Sequence, residues 1–114
     1  MKKSILLFFL LSGIANAEIN YDHKNIDHKE DKNCIALFSL IRDGLRRVND
    51  NDNLSKFTNW QNILILKYAY SKQLNTHAEV YKIIWKQKAH DGYNLEQDLS
   101  KCINKAGGDL WQIK

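Results

Sequence analysis

The chain contains no proline, two cysteines and five glycines. Without proline, no helix in it is forced to kink or stop by a locked φ angle. Two cysteines allow one disulfide at most and supply no cysteine cluster for a metal. No stretch alternates apolar and polar residues in the manner of a half-buried strand. A Ser-His-Asp order, a glycine loop that could cradle phosphate, and a metal-ligand spacing are all missing, so no enzyme motif is present and neither cofactor nor metal is expected.

Charge excess is also small. The chain carries 17 basic and 13 acidic residues, a formal net charge of +4. Lys2 and Lys3 belong to an N-terminal segment expected to be removed, which leaves 15 basic residues and a net charge of +2. That excess is too weak and too scattered for a nucleic-acid partner.

What is present starts at the N-terminus. "MKKSILLFFLLSGIANA" has two lysines, an apolar run from Ile5 to Leu11, and the small-x-small triplet Ala15-Asn16-Ala17. This is the pattern of a signal peptide cleaved after Ala17. Its apolar run is shorter than the roughly 20 residues that span a bilayer. Residues 1–17 are therefore read as an export signal, with a periplasmic destination and no membrane association after cleavage. Residues 18–30 are almost wholly polar, including the echo Asp22-His23-Lys24 and Asp27-His28-Lys29, and read as a flexible arm. The histidines and aspartates of the arm match no ligand spacing. Residues 31–114 form the expected single domain.

Within that domain the apolar period becomes helical. Cys34, Leu37, Phe38, Ile41, Leu45 and Val48 make one stripe, with Asp31 at its start and Arg42, Arg46 and Arg47 towards its end. "NDNDN" at 49–53 reads as the turn that stops it. A second helix is expected from Ser55 through Leu74, apolar on more than one face and the most buried. Thr76 and Glu79 form the pattern of a capping box that opens a third helix, with Val80, Tyr81, Ile84 and Trp85 inward and Lys82, Lys86 and Lys88 outward. Asp91-Gly92 closes it. Asn94 opens a fourth helix with the stripe Leu95, Leu99, Cys102, Ile103 and Ala106, which Gly107-Gly108 ends. Leu110, Trp111 and Ile113 are expected to fold back onto the core. Short connections imply an all-α, four-helix, bundle-like domain.

In an up-down bundle the start of the first helix lies beside the end of the fourth. Cys34 and Cys102 occupy those inward positions, which predicts a Cys34–Cys102 disulfide in an exported domain. A catalytic role for Cys34 would need a basic neighbour to form the thiolate, and its stripe offers none. His77 and His90 sit more than three turns apart and suit capping and surface roles. With the disulfide at one end, the turns at 49–54 and 90–94 are placed together at the other. They would present Asp50, Asp52, His90, Asp91 and Tyr93 as an acidic edge with one aromatic, a candidate partner-binding surface.

The "NCIALF" early in the chain and "SKCINKA" late in it, behind a signal peptide, resemble the periplasmic immunity proteins of type VI secretion peptidoglycan amidase effectors. The resemblance implies a homodimer that inserts a loop into the catalytic cleft of a secreted cell-wall hydrolase. This chain ends sooner after Cys102 than those proteins often do. A small helical periplasmic stress chaperone is the alternative reading.

Overall fold

The structure, a computed structural model, describes residues 25–67 and 72–113. The expected signal segment, most of the polar arm, Tyr68 and Tyr70 lie outside the described residues. Four helices are described: α1 (Asp31–Arg47), α2 (Asn51–Leu66), α3 (Lys72–His90) and α4 (Glu96–Lys105), followed by a 3-10 turn at Leu110–Gln112. No strand occurs among the described residues, and none of the helices is long and apolar enough to cross a membrane. The all-α, four-helix architecture expected from the periodicity is what forms.

α1 is the centre of the fold. Its buried residues include Cys34, Ile35, Ala36, Leu37, Phe38, Leu40, Ile41 and Leu45, which together surround more than one stripe. α2 and α3 both pack along it and hardly on one another, while α4 meets it near its first turn. The most buried helix is therefore the first and not the second. α2 buries Phe57, Trp60 and Leu64 towards α1, but its Leu66 is 83% exposed. Burial on two sides requires partners for the polar groups of α1. Gln61, itself buried, donates through Nε2 to Ile35 O at 2.9 Å and to Ser39 Oγ at 2.6 Å. Trp85 Nε1 donates to Asn33 O at 2.9 Å. Phe38, Phe57 and Trp60 complete the α1–α2 seam through edge-to-face contacts at 5.7 and 5.1 Å.

Helix boundaries differ from expectation at both ends of α2, which stops at Leu66 and not Leu74, at the start of α3, and at α4, whose N-cap is Leu95 and not Asn94. α2 begins at Asn51, because Asp50 and not Ser55 is its N-cap: the Asp50 carboxylate accepts from Asn53 N at 3.2 Å and from Asn53 Nδ2 at 2.7 Å. The turn is confined to Val48 and Asn49, whose φ of +58° supplies the reversal. α3 starts at Lys72, which puts Thr76 inside the helix, so the expected capping box does not open it. The closing positions behave as the glycines suggest: Gly92 and Gly107 take φ values of +91° and +84°.

The Cys34–Cys102 disulfide forms, with Cα atoms 5.3 Å apart and both residues fully buried. It links the first turn of α1 to the later half of α4. Lys105 ties the same ends together, with Nζ 3.1 Å from Asp31 Oδ1 and donating to Lys29 O at 2.7 Å.

The packed chain begins earlier than residue 31. Ile26 is 5% exposed and joins the core, so the last part of the arm is a strap laid on α3 and α4. At the other end Leu110 and Ile113 are buried as expected, whereas Trp111 points out, 76% exposed.

Candidate binding surfaces

The loop that follows α3 rests on a buried cation. Lys88, expected to face solvent, is 8% exposed. Its ammonium donates to Ile26 O at 2.7 Å, lies 3.6 Å from Asp98 Oδ2, and sits under the rings of Trp85 and Tyr93 at 5.6 and 5.8 Å. Asp98 in turn accepts from His28 N at 3.2 Å and from His28 Nδ1 at 2.7 Å. The Cys34 sulfur lies 3.5 Å from His28 O, so this network covers the disulfide. A buried charge is tolerated only when paired and hydrogen-bonded, and Lys88 has both kinds of partner.

Above this base, the loop from Asp91 to Asn94 turns through Gly92 and Tyr93, with Tyr93 N donating back to Lys88 O at 3.3 Å. His90, Asp91 and Tyr93 are exposed, and the His90 ring lies 3.7 Å from Asp91 Oδ1. The other two candidate residues lie elsewhere. Asp50 caps α2 and its N–H donates to Leu45 O at 3.0 Å, which fixes it beside the last turn of α1. Asp52 is exposed in the first turn of α2. The loop at 91–94 is instead tied through Lys88 to Ile26 and Asp98, beside the segment that leads into the first turn of α1. The expected single edge is thus two surfaces, because α3 packs against α1 without closing an up-down array with α2.

His77 does not reach either surface. Its ring stacks on Tyr81 at 3.8 Å and Nε2 donates to Asn33 Oδ1 at 2.9 Å. Burial, and then the nearby Lys32, lower its pKa from the ordinary imidazole value against an opposing pull from Glu30. Lys82 belongs to a surface pair: burial favours the neutral amine, but the Asp43 carboxylate at 2.8 Å and Glu79 at 3.4 Å outweigh it and raise the pKa. Among the described residues no group of three or more His, Cys, Asp or Glu side chains is placed to hold a metal ion.

A third surface was not foreseen. Between α4 and the C-terminal turn lies an open groove of about 580 Å³, with Trp111 on one wall and Gln97, Ser100 and Lys101 on the other. The only sequence signal for it was an aromatic after the glycine pair, and that signal was read as core. The Lys88–Asp98–His28 network was missed for a similar reason: a lysine in a run with Lys82 and Lys86 has the pattern of a solvated face.

Comparison with protein-family models, with curated proteins and with solved structures finds no match to this chain.

Proposed function

We propose that the protein is an exported inhibitor, an immunity protein that binds a secreted peptidoglycan amidase and blocks its catalytic cleft. The observation that carries this reading is the loop from Asp91 to Asn94, an exposed tight turn held from beneath by buried Lys88. A loop fixed before binding loses little conformational freedom when it enters a cleft, which is how rigid inhibitory loops gain affinity. Tyr93 supplies an amphipathic ring of the type that anchors interfaces, with Asp91 and His90 beside it. The disulfide-stapled helical scaffold suits an oxidising compartment, and the resemblance of "NCIALF" and "SKCINKA" to the amidase immunity proteins names the partner class. Asp50 leaves the candidate contact set, because its carboxylate is engaged as a helix cap.

The test is a pull-down with tagged mature protein, disulfide intact, from periplasmic and secreted extracts, followed by an inhibition assay on the captured protein. The reading expects one cell-wall hydrolase at a fixed ratio. Replacement of Asp91 and Tyr93 by alanine should weaken its inhibition roughly tenfold or more. Capture of many unfolded clients, with no single hydrolase, would overturn the reading in favour of a chaperone.

A further inference from the structure

The groove beside Trp111 adjoins the loop at 91–94 through Asn94, but the loop side chains assigned to inhibition, Asp91 and Tyr93, do not line it. The turn that carries Trp111 is braced at both ends. Asp109 N donates to Gln112 Oε1 at 2.7 Å, the Asp109 side chain accepts from the Gln112 backbone, and Lys56 Nζ donates to Gln112 O. On either side of the indole, Leu110 and Ile113 are anchored in the core at 7% exposure each. The backbone that carries the indole is therefore braced, and the ring itself projects outward, 76% exposed.

Across the groove, Gln97, Ser100 and Lys101 share one face of α4 at the spacing that makes helical neighbours. None of these three side chains makes a hydrogen bond or ion pair among the described residues. They offer an amide, a hydroxyl and an ammonium, which means donors and acceptors in both senses. Charges along the rim are mixed, with Glu96 and Asp109 set against Lys101, so the groove selects neither an anion nor a metal cation. An anchor side chain of a protein partner would look for a closed apolar pocket. Here the apolar floor is Leu110 alone, and the groove is open.

We propose that this groove binds a saccharide chain. The indole face of Trp111 takes the C–H face of one sugar ring through dispersion and the negative π surface. Gln97, Ser100 and Lys101 pair with its hydroxyl or acetamido groups. The site does not depend on the inhibitor reading: it adjoins the loop at 91–94 through Asn94, but its lining includes none of His90, Asp91 and Tyr93.

The experiment uses the full mature chain with its disulfide intact. It is titrated by calorimetry with a β-linked N-acetylglucosamine tetrasaccharide and with a cellotetraose, and it is pelleted with insoluble cell-wall sacculi. Saturable binding of either sugar is expected; binding of the acetamido sugar alone would make that group part of recognition. Trp111→Ala should weaken binding roughly tenfold, Trp111→Phe should retain part of it, and Gln97→Ala should weaken it roughly threefold, all with an unchanged circular dichroism spectrum. No saturable binding to sugar or sacculi, or equal binding by parent and Trp111→Ala, overturns the proposal. Loss of hydrolase inhibition in Trp111→Ala without any sugar binding would instead make the groove a protein contact. The Asp91/Tyr93 variant, read only in the inhibition assay, keeps failure of the inhibitor reading separate.

Discussion

Replacing Cys34 and Cys102 by alanine removes the one covalent tie between the first and last helices. The cysteines are 68 residues apart, and closing a loop of that length in the unfolded chain is worth roughly 4 kcal/mol in the chain-entropy model. Both residues are fully buried, so lost sulfur contacts add to the effect rather than offset it. Native domains have net stabilities of about 5–15 kcal/mol, which makes this a large fraction of the total for so short a chain. The assay is urea unfolding followed by far-UV circular dichroism, with the parent, the double alanine variant and the reduced parent in parallel. At an m-value of about 1.5 kcal/mol per M the midpoint should fall by nearly 3 M, or the variant should be unfolded in water. The reduced parent, which keeps both buried sulfurs, should lose the loop-closure part alone and fall somewhat less than the variant. A loss below about 1 kcal/mol would refute the reasoning, because the hydrogen bonds and salt bridges of the Lys88–Asp98–His28 strap and Lys105 would then hold the two ends without the bridge.

Other outcomes follow from single contacts. A β-carbon on Gly108 would stand 2.4 Å from Trp60 Nε1, and Trp60 is 6% exposed against Phe57, so Gly108→Ala should cost about 1–3 kcal/mol in the same urea assay. Asp98→Ala leaves Lys88 buried without its carboxylate and frees His28, and should cost about 3 kcal/mol; Asp98→Asn, which retains an acceptor, should cost less. The lowered pKa of His77 means that the unfolded chain takes up this proton first. Its contribution is complete above the ordinary value of 6.5 and is lost as pH falls from there towards the depressed folded value. Melting temperatures of parent and His77→Gln between pH 7.5 and 5 should therefore differ in slope, the parent falling more steeply, and equal slopes would contradict the assignment.

The sequence is informative where the signal is local and periodic. The stripe from Cys34 to Val48 defined α1, although Val48 itself falls just past the helix and is exposed, and Leu95, Leu99 and Cys102 defined α4. Placing both cysteines on inward positions was enough to pair them. Asp31 marked the first turn of α1, where the dipole favours an acid, and Gly92 marked the end of α3, because a left-handed turn depends on one residue. Long-range partners were not legible. Lys88 is buried because Asp98 and the carbonyl of Ile26 meet it from segments 10 and 62 residues away. The same pairing fixes the strap at residues 26–29, which looks in isolation like a solvated tail. Thr76-x-x-Glu79 has the chemistry of a capping box, but a helix that starts a turn earlier absorbs it. Trp111 was read as core by its size, although the two aliphatics beside it satisfy the core and leave the indole outside. The candidate edge failed as a unit for a topological reason: consecutive antiparallel neighbours were assumed, and α1 is instead flanked by α2 and α3.

The most direct test of the account is a turbidity assay on purified sacculi with the captured hydrolase, in the presence of increasing mature protein. The account predicts that hydrolysis stops at a fixed stoichiometric ratio and resumes when Asp91 and Tyr93 are replaced by alanine in a folded variant. Full hydrolase activity at saturating mature protein would contradict it.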